Sequence, residues 1–136
     1  MKKGLIAIAL ASLLAGSLIA AENEHRTMLM KDMRTMLEGM EQIQRGGFYS
    51  SNDDMKAGVK KLQSTLKTLQ SDEIKWILPK DQVYAYKFAQ KSASMLRLYS
   101  DDLVTSIDSG HMDEAMEDYS QLLKQCSSCH IRIRNW

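Results

Sequence analysis

Apolar residues recur at intervals of three and four along most of this chain, and little interrupts them. Such a period puts them on one face of an α-helix. The chain has one proline and seven glycines. An all-β chain needs frequent turn residues, and their scarcity excludes it. In the first segment Leu29, Met33, Met36, Met40 and Ile43 form a stripe, overlapped by Arg26, Met30, Met33, Leu37 and Met40. Gly46-Gly47 is expected to end that helix, glycine being cheap in the left-handed conformation of a helix end. Ser51-Asn52-Asp53-Asp54 reads as a capped start, followed by Met55, Val59, Leu62, Leu66 and Leu69. Residues 71–80 read as a connection in which Trp76, Ile77 and Leu78 tuck under the helices, with Pro79 near the next start.

The third segment is expected from about Asp81 to Ser109, with Ala85, Phe88, Ser92, Met95, Tyr99, Leu103 and Ile107 inward and Asp108-Ser109-Gly110 closing it. The fourth starts near Met112-Asp113-Glu114. Its stripe is Met112, Met116, Tyr119, Leu123, Cys126, His130 and Ile133. Helices of about 20 residues are about 30 Å long. Four of them joined by short connections predict an all-α, antiparallel, up-down four-helix bundle. With 136 residues, one folded domain is expected.

Met1-Lys2-Lys3 and the uncharged run Gly4 to Ala21 describe a secretory signal peptide with cleavage after Ala20 or Ala21. The alternative is an uncleaved anchor, since the run is about long enough to span a bilayer. The polar Ser12, Gly16 and Ser17 and the alanine end favour cleavage. Residues 1–21 are then the signal and 22–136 the domain. The expected compartment is the periplasm, with no membrane attachment after cleavage. The whole chain has a formal charge of +1, and cleavage removes Lys2 and Lys3 and no acid, leaving −1. So balanced a chain gives no footprint for nucleic acid.

Cys126-Ser127-Ser128-Cys129-His130 is C-x-x-C-H, the attachment signature of c-type haem. Two thiols three residues apart on a helix can each add to one haem vinyl, and the next residue aims its imidazole at the iron. Cys126 and His130 fall on the inward stripe, so a haem held there lies inside the bundle. Three readings compete. A thioredoxin-like dithiol belongs in a βαβ setting. A zinc site needs further ligands, and only His25 and His111 remain besides carboxylates. A disulfide is the third.

The motif stands six residues before the C-terminus, on the last of four helices. In this the chain resembles the cytochrome c′ / cytochrome c-556 family, the class II c-type cytochromes. The class I fold carries its motif near the N-terminus. In the family's last helix C-x-x-C-H is followed by two variable residues, an aromatic and an arginine. Ile133 stands for the aromatic here, and Arg134 matches the arginine. The resemblance implies one covalent haem c, with Cys126 and Cys129 as thioethers and His130 as proximal iron ligand. Leu29-Met30-Lys31-Asp32 is similar to the segment that supplies a distal methionine in the c-556 branch, which makes Met30 the expected sixth ligand. Met33 and His25 are lesser candidates. Arg26, one turn earlier, and Arg134 are expected near a haem propionate or the haem edge. His111, Tyr84, Tyr86, Tyr99, Tyr119 and Trp136 receive no functional role.

The resemblance implies a non-enzymatic one-electron carrier that serves redox partner proteins. Many relatives dimerise through first-helix contacts, so a homodimer is also compatible with it. A neutral thioether stabilises ferrous iron and suits that task. The competing function is a cytochrome c′-like, five-coordinate haem that binds nitric oxide or carbon monoxide, with the first-helix methionines as core filler.

Overall fold

The structure, a computed structural model, describes the backbone of residues 2–78 and 84–134 and the side chains of 23–78 and 84–133. The chain is all-helical: α1 (Lys2–Phe48), α2 (Asn52–Gln70), the short α3 (Ile74–Ile77), α4 (Ala85–Asp108) and α5 (Met112–Arg134). The side chains of the expected signal segment lie outside the described residues, as do Pro79 and Asp81. The fourth of these helices is therefore described from Ala85, with Tyr84 at its N-cap. Among the described residues no helix is long and apolar enough to cross a membrane.

Contacts between helices fix their directions. Glu38 pairs with Lys61 at 3.6 Å and Asp32 accepts from the Thr68 hydroxyl, so α1 and α2 run antiparallel. Lys56 pairs with Asp108, and Gln63 donates to Ser100 at 2.8 Å, which sets α4 antiparallel to α2. The Ser106 hydroxyl donates to Asp118 at 3.3 Å, while Arg132 stands 4.6 Å from the Phe88 ring. These contacts make α5 antiparallel to α4. Gly47 of α1 faces Met116 of α5. Of the long-helix neighbours, α1 and α5 meet least.

The core follows the helical period. Met55, Val59, Leu62, Leu66 and Leu69 of α2 are all buried, as are Met36, Met40 and Ile43 of α1. Burying each such side chain stabilises the fold by about 1.5–3 kcal/mol relative to exposure. The positions that only the overlapping stripe claims do not face inward: Arg26 and Met30 are exposed, and Leu37 is 59% exposed. A helix at the edge of an assembly buries one stripe, and Met36, Met40 and Ile43 occupy it. On α5 Leu122 is buried and Leu123 exposed, a shift of one residue from the expected stripe. In the connection Ile74 is fully buried and Trp76 is 64% exposed. The single turn of α3 has room to turn only one face inward, and Ile74 takes it.

Gly46-Gly47 lies inside α1 rather than ending it. A Cβ at Gly46 would stand 2.6 Å from Met55 Cγ, and one at Gly47 would stand 2.7 Å from Met116 Sδ. Both glycines admit neighbouring helices. The helix ends two residues later through Ser50, at φ 56, with Ser51 N–H donating to the Gly46 carbonyl at 2.8 Å. That bond and a left-handed residue make a Schellman end. Gly110, at φ 77, plays the Ser50 part after α4, with His111 N–H bonded to the Ser106 carbonyl at 2.9 Å.

Gly39 and Gly58 bring the backbones of α1 and α2 together. A Cβ on Gly58 would lie 2.6 Å from the Gly39 carbonyl and 2.8 Å from the Ile43 nitrogen. Gly58→Ala is expected to destabilise the protein by about 1–3 kcal/mol, the range for overpacking, as a lowered urea midpoint. Ser50→Gly is expected to stabilise it. It removes a left-handed penalty of about 1–2 kcal/mol and adds back up to about 1 kcal/mol of chain entropy. The net gain should appear as a raised midpoint with unchanged slope.

Candidate functional site

The C-terminal half of α5 carries the C-x-x-C-H motif against α4. Helical spacing puts Cys126 and Cys129 on the side of α5 that packs on the hydrophobic core, and both are half-buried. His130, the next residue, is half-buried too. Ser127 and Ser128 are exposed on the outer side. Across from the motif, α4 presents small side chains. Ala85, Ala89, Ser92 and Ala93 are buried there, beside the larger Tyr86 and Phe88, which pack partly buried on the same core; nearer the other end Leu103 and Ile107 are buried along with Ser100 and Ser106. Ser92 hydrogen-bonds the Cys129 thiol.

The two sulfurs are free thiols. Burial pushes the Cys126 thiol up to about 11, with the nearby Cys129 adding to the shift. Burial also raises Cys129, against the pull of the Ser92 hydrogen bond. Tyr119, buried toward α1, is raised chiefly by burial, then by Cys126 and Glu41. A dithiol oxidoreductase needs a depressed, exposed thiolate. These thiols are protonated and sheltered at neutral pH, the opposite of that chemistry.

The other expected residues are dispersed. Met30 is 52% exposed and points away from the core. Met33, three residues on, is partly buried and packs on the same cluster as Cys126 and Cys129, as does Leu29. Arg26 is exposed, and the Arg134 side chain lies outside the described residues. His25 pairs with Glu73 at 3.5 Å, and His111 pairs with Glu114 at 3.4 Å at the far end of α5. Among the described residues no three His, Cys, Asp or Glu side chains gather as a metal-binding group. A zinc site would therefore have to recruit ligands from elsewhere.

The donor set fits a covalently held haem. Two unpaired thiols one turn apart can form two thioethers, the adjacent imidazole can take the iron, and small α4 side chains face them. Sequence spacing missed two contributors, the Ser92 bond to Cys129 and the Arg132 guanidinium over Phe88. Ser92 lay on the expected stripe, where a hydroxyl among apolar positions was the available signal. No family model, curated protein or solved structure matches the chain.

In the chain without haem, the sheltered thiols set an alkylation profile. Iodoacetamide is expected to label Cys126 slowly at pH 7, with the rate rising as pH climbs toward 11, because thiolate is the reacting form. Mass spectrometry of quenched samples gives the profile. A plateau below pH 8 would mean an exposed, activated thiol.

Proposed function

We propose that this chain is an exported, periplasmic monohaem c-type cytochrome of the class II, c-556 type, an antiparallel four-helix bundle that carries single electrons between partner proteins. The observation that carries the reading is the pair of free, half-buried thiols of Cys126 and Cys129 beside His130, facing the small side chains of α4. Cys126 and Cys129 would hold the porphyrin edge and His130 would hold the iron. When bound there, the haem supplies an iron that exchanges one electron.

The protein residues have three tasks in this reading. The thioethers would fix the porphyrin beside His130, so that its imidazole would stay within reach of the iron. Ala89, Ser92 and Ala93 present small side chains beside the motif, and the apolar core cluster excludes bulk water from that side. A second iron donor would come from α1. Met30 holds that place by resemblance to the c-556 branch, and Met33 stands on the inward side of the same stretch. The side chain of Arg134 and the signal segment 1–21 belong to this reading by sequence alone.

The exposure of Met30 favours a second reading, in which no thioether reaches the iron and the protein binds nitric oxide or carbon monoxide as a five-coordinate haem. Spectra of the haem-matured protein separate the two. The expected result is one haem mass added to the chain, lost in Cys126→Ala/Cys129→Ala, and a low-spin ferric spectrum with a weak far-red sulfur-to-iron band. Met30→Ala is expected to turn the haem high-spin and open it to carbon monoxide. The same change in Met33→Ala alone would assign the ligand to Met33. A wild-type haem already high-spin and responsive to carbon monoxide would establish the gas-binding function instead.

A further inference from the structure

The charges of the α4–α5 pair are sorted by end. Residues 84–100 and 119–133 contain no aspartate or glutamate, and residues 101–118 contain no lysine or arginine. Because α4 and α5 run antiparallel, the two acid-free stretches lie side by side at the end that carries Cys126 and Cys129. The base-free stretch forms the turn at the other end. Lys87, Lys91, Lys124 and Arg132 are all exposed at the motif end. Lys75 of α3, 4.8 Å from the Tyr86 ring, is paired with Asp72 at 3.1 Å and so adds little to this charge. At the opposite end the Asp118 carboxyl is raised above its ordinary value, chiefly by burial and further by Asp102, Glu117 and Glu114, against the Ser106 hydrogen bond.

Leu123, Lys124, Ser127, Ser128, Ile131 and Arg132 share one outer face of α5 at the basic end. Leu123 and Ile131 are its exposed apolar residues, 45% and 57% exposed, with Ser127 and Ser128 between them and Lys124 and Arg132 alongside. Ser127-Ser128 is the link between the two cysteines. A surface seated on this face is thus separated from the motif only by the thickness of one helix, about 10 Å. Exposed apolar side chains rimmed by one sign of charge fit a small, transient interface. The rim attracts the opposite sign and repels its own.

We propose that this outer face of α5 is the docking surface for an acidic redox protein, which passes one electron to or from the iron held by His130. The redox nature of the partner rests on the proposed cytochrome function, whereas the sign of its charge rests on the sorted α4–α5 pair. In the reducing direction the donor loses one electron and the ferric iron becomes ferrous. No atom is transferred. The local field, not the net charge, steers the encounter, because a mature chain of −1 would on average repel an acidic partner.

The test uses the haem-loaded protein, with reduced flavodoxin as an acidic one-electron donor in a stopped-flow mixer. The expected rate falls at least about tenfold from low salt to high salt, within the range that electrostatic steering spans. At low salt it also falls severalfold in Lys124→Glu and Lys91→Glu, and it holds in Lys60→Glu, on α2 near the other end. Oxidation of the ferrous protein by the cationic tris(phenanthroline)cobalt(III) should instead speed up with salt. A flavodoxin rate that rises with salt, or equal losses in all three variants, overturns the proposal. Cosedimentation with phosphatidylglycerol-containing vesicles that is abolished by Lys124→Glu would reassign the surface to lipid and overturn it as well. A matured chain without a Soret band removes the cytochrome reading itself. A haem-loaded chain with a flat salt profile removes only the docking surface.

Discussion

The close approach of α1 and α2 is the contact on which the rest of the packing depends. Gly39 and Gly58 remove the side chains that would hold the two backbones apart, and each carbonyl occupies the space where the other residue's Cβ would stand. With the axes that near, Met36, Met40 and Ile43 of α1 interlock with Met55, Val59 and Leu62 of α2 as fully or nearly fully buried side chains. The second pair, α4 and α5, then lies against this frame. Gly47 receives Met116 near one end of the molecule, while α1 and α5 meet little elsewhere. The motif end of α5 is therefore supported mainly by α4, and the surroundings of Cys126 and Cys129 are set by what α4 presents there.

What α4 presents there is mixed. Ala89, Ser92 and Ala93 are buried beside the partly buried Tyr86 and Phe88, and Ser100 and Ser106 are buried nearer the other end among Leu103 and Ile107. Small side chains let a neighbouring helix approach, and the interior is filled on both stretches. The methionines divide between core and surface. Met36, Met40 and Met55 are core, Met116 fills the space above Gly47, and Met28 and Met30 are exposed at the motif end.

Much of the helical architecture was legible from spacing. All five apolar positions read on α2 are buried, because that helix is covered on one stripe by α1 and α4 and its period has a single solution. The departures have local causes. Gly46-Gly47 carried the chemistry of a helix end, yet glycine serves a close crossing equally well, and only the position of Met55 and Met116 tells the two apart. Leu122 and Leu123 are adjacent leucines on α5, so composition does not say which one faces inward. Trp76 is large and apolar, but a single-turn helix buries one residue and Ile74 is better placed. Of the site, the two thiols and the imidazole were legible as a motif. The outward place of Met30 was not, because two overlapping stripes on α1, which share Met33 and Met40, satisfied the same period.

The sequence by itself determined that the chain is helical, where most of its helices begin and end, and that two thiols and an imidazole stand together on the last one. These are local properties, set by a 3.6-residue period, by capping residues and by the reach of neighbouring side chains. Only the tertiary structure decided which of two stripes on α1 is core, which glycines admit a neighbouring helix, and how the charges are distributed in space. Net charge is a sum, and it is close to zero here. Folding α4 back along α5 brings the stretch 84–100 beside 119–133, and a near-neutral chain acquires a basic end at its thiols and an acidic end at its turn. That separation comes from the antiparallel register, which depends on contacts between residues distant along the chain.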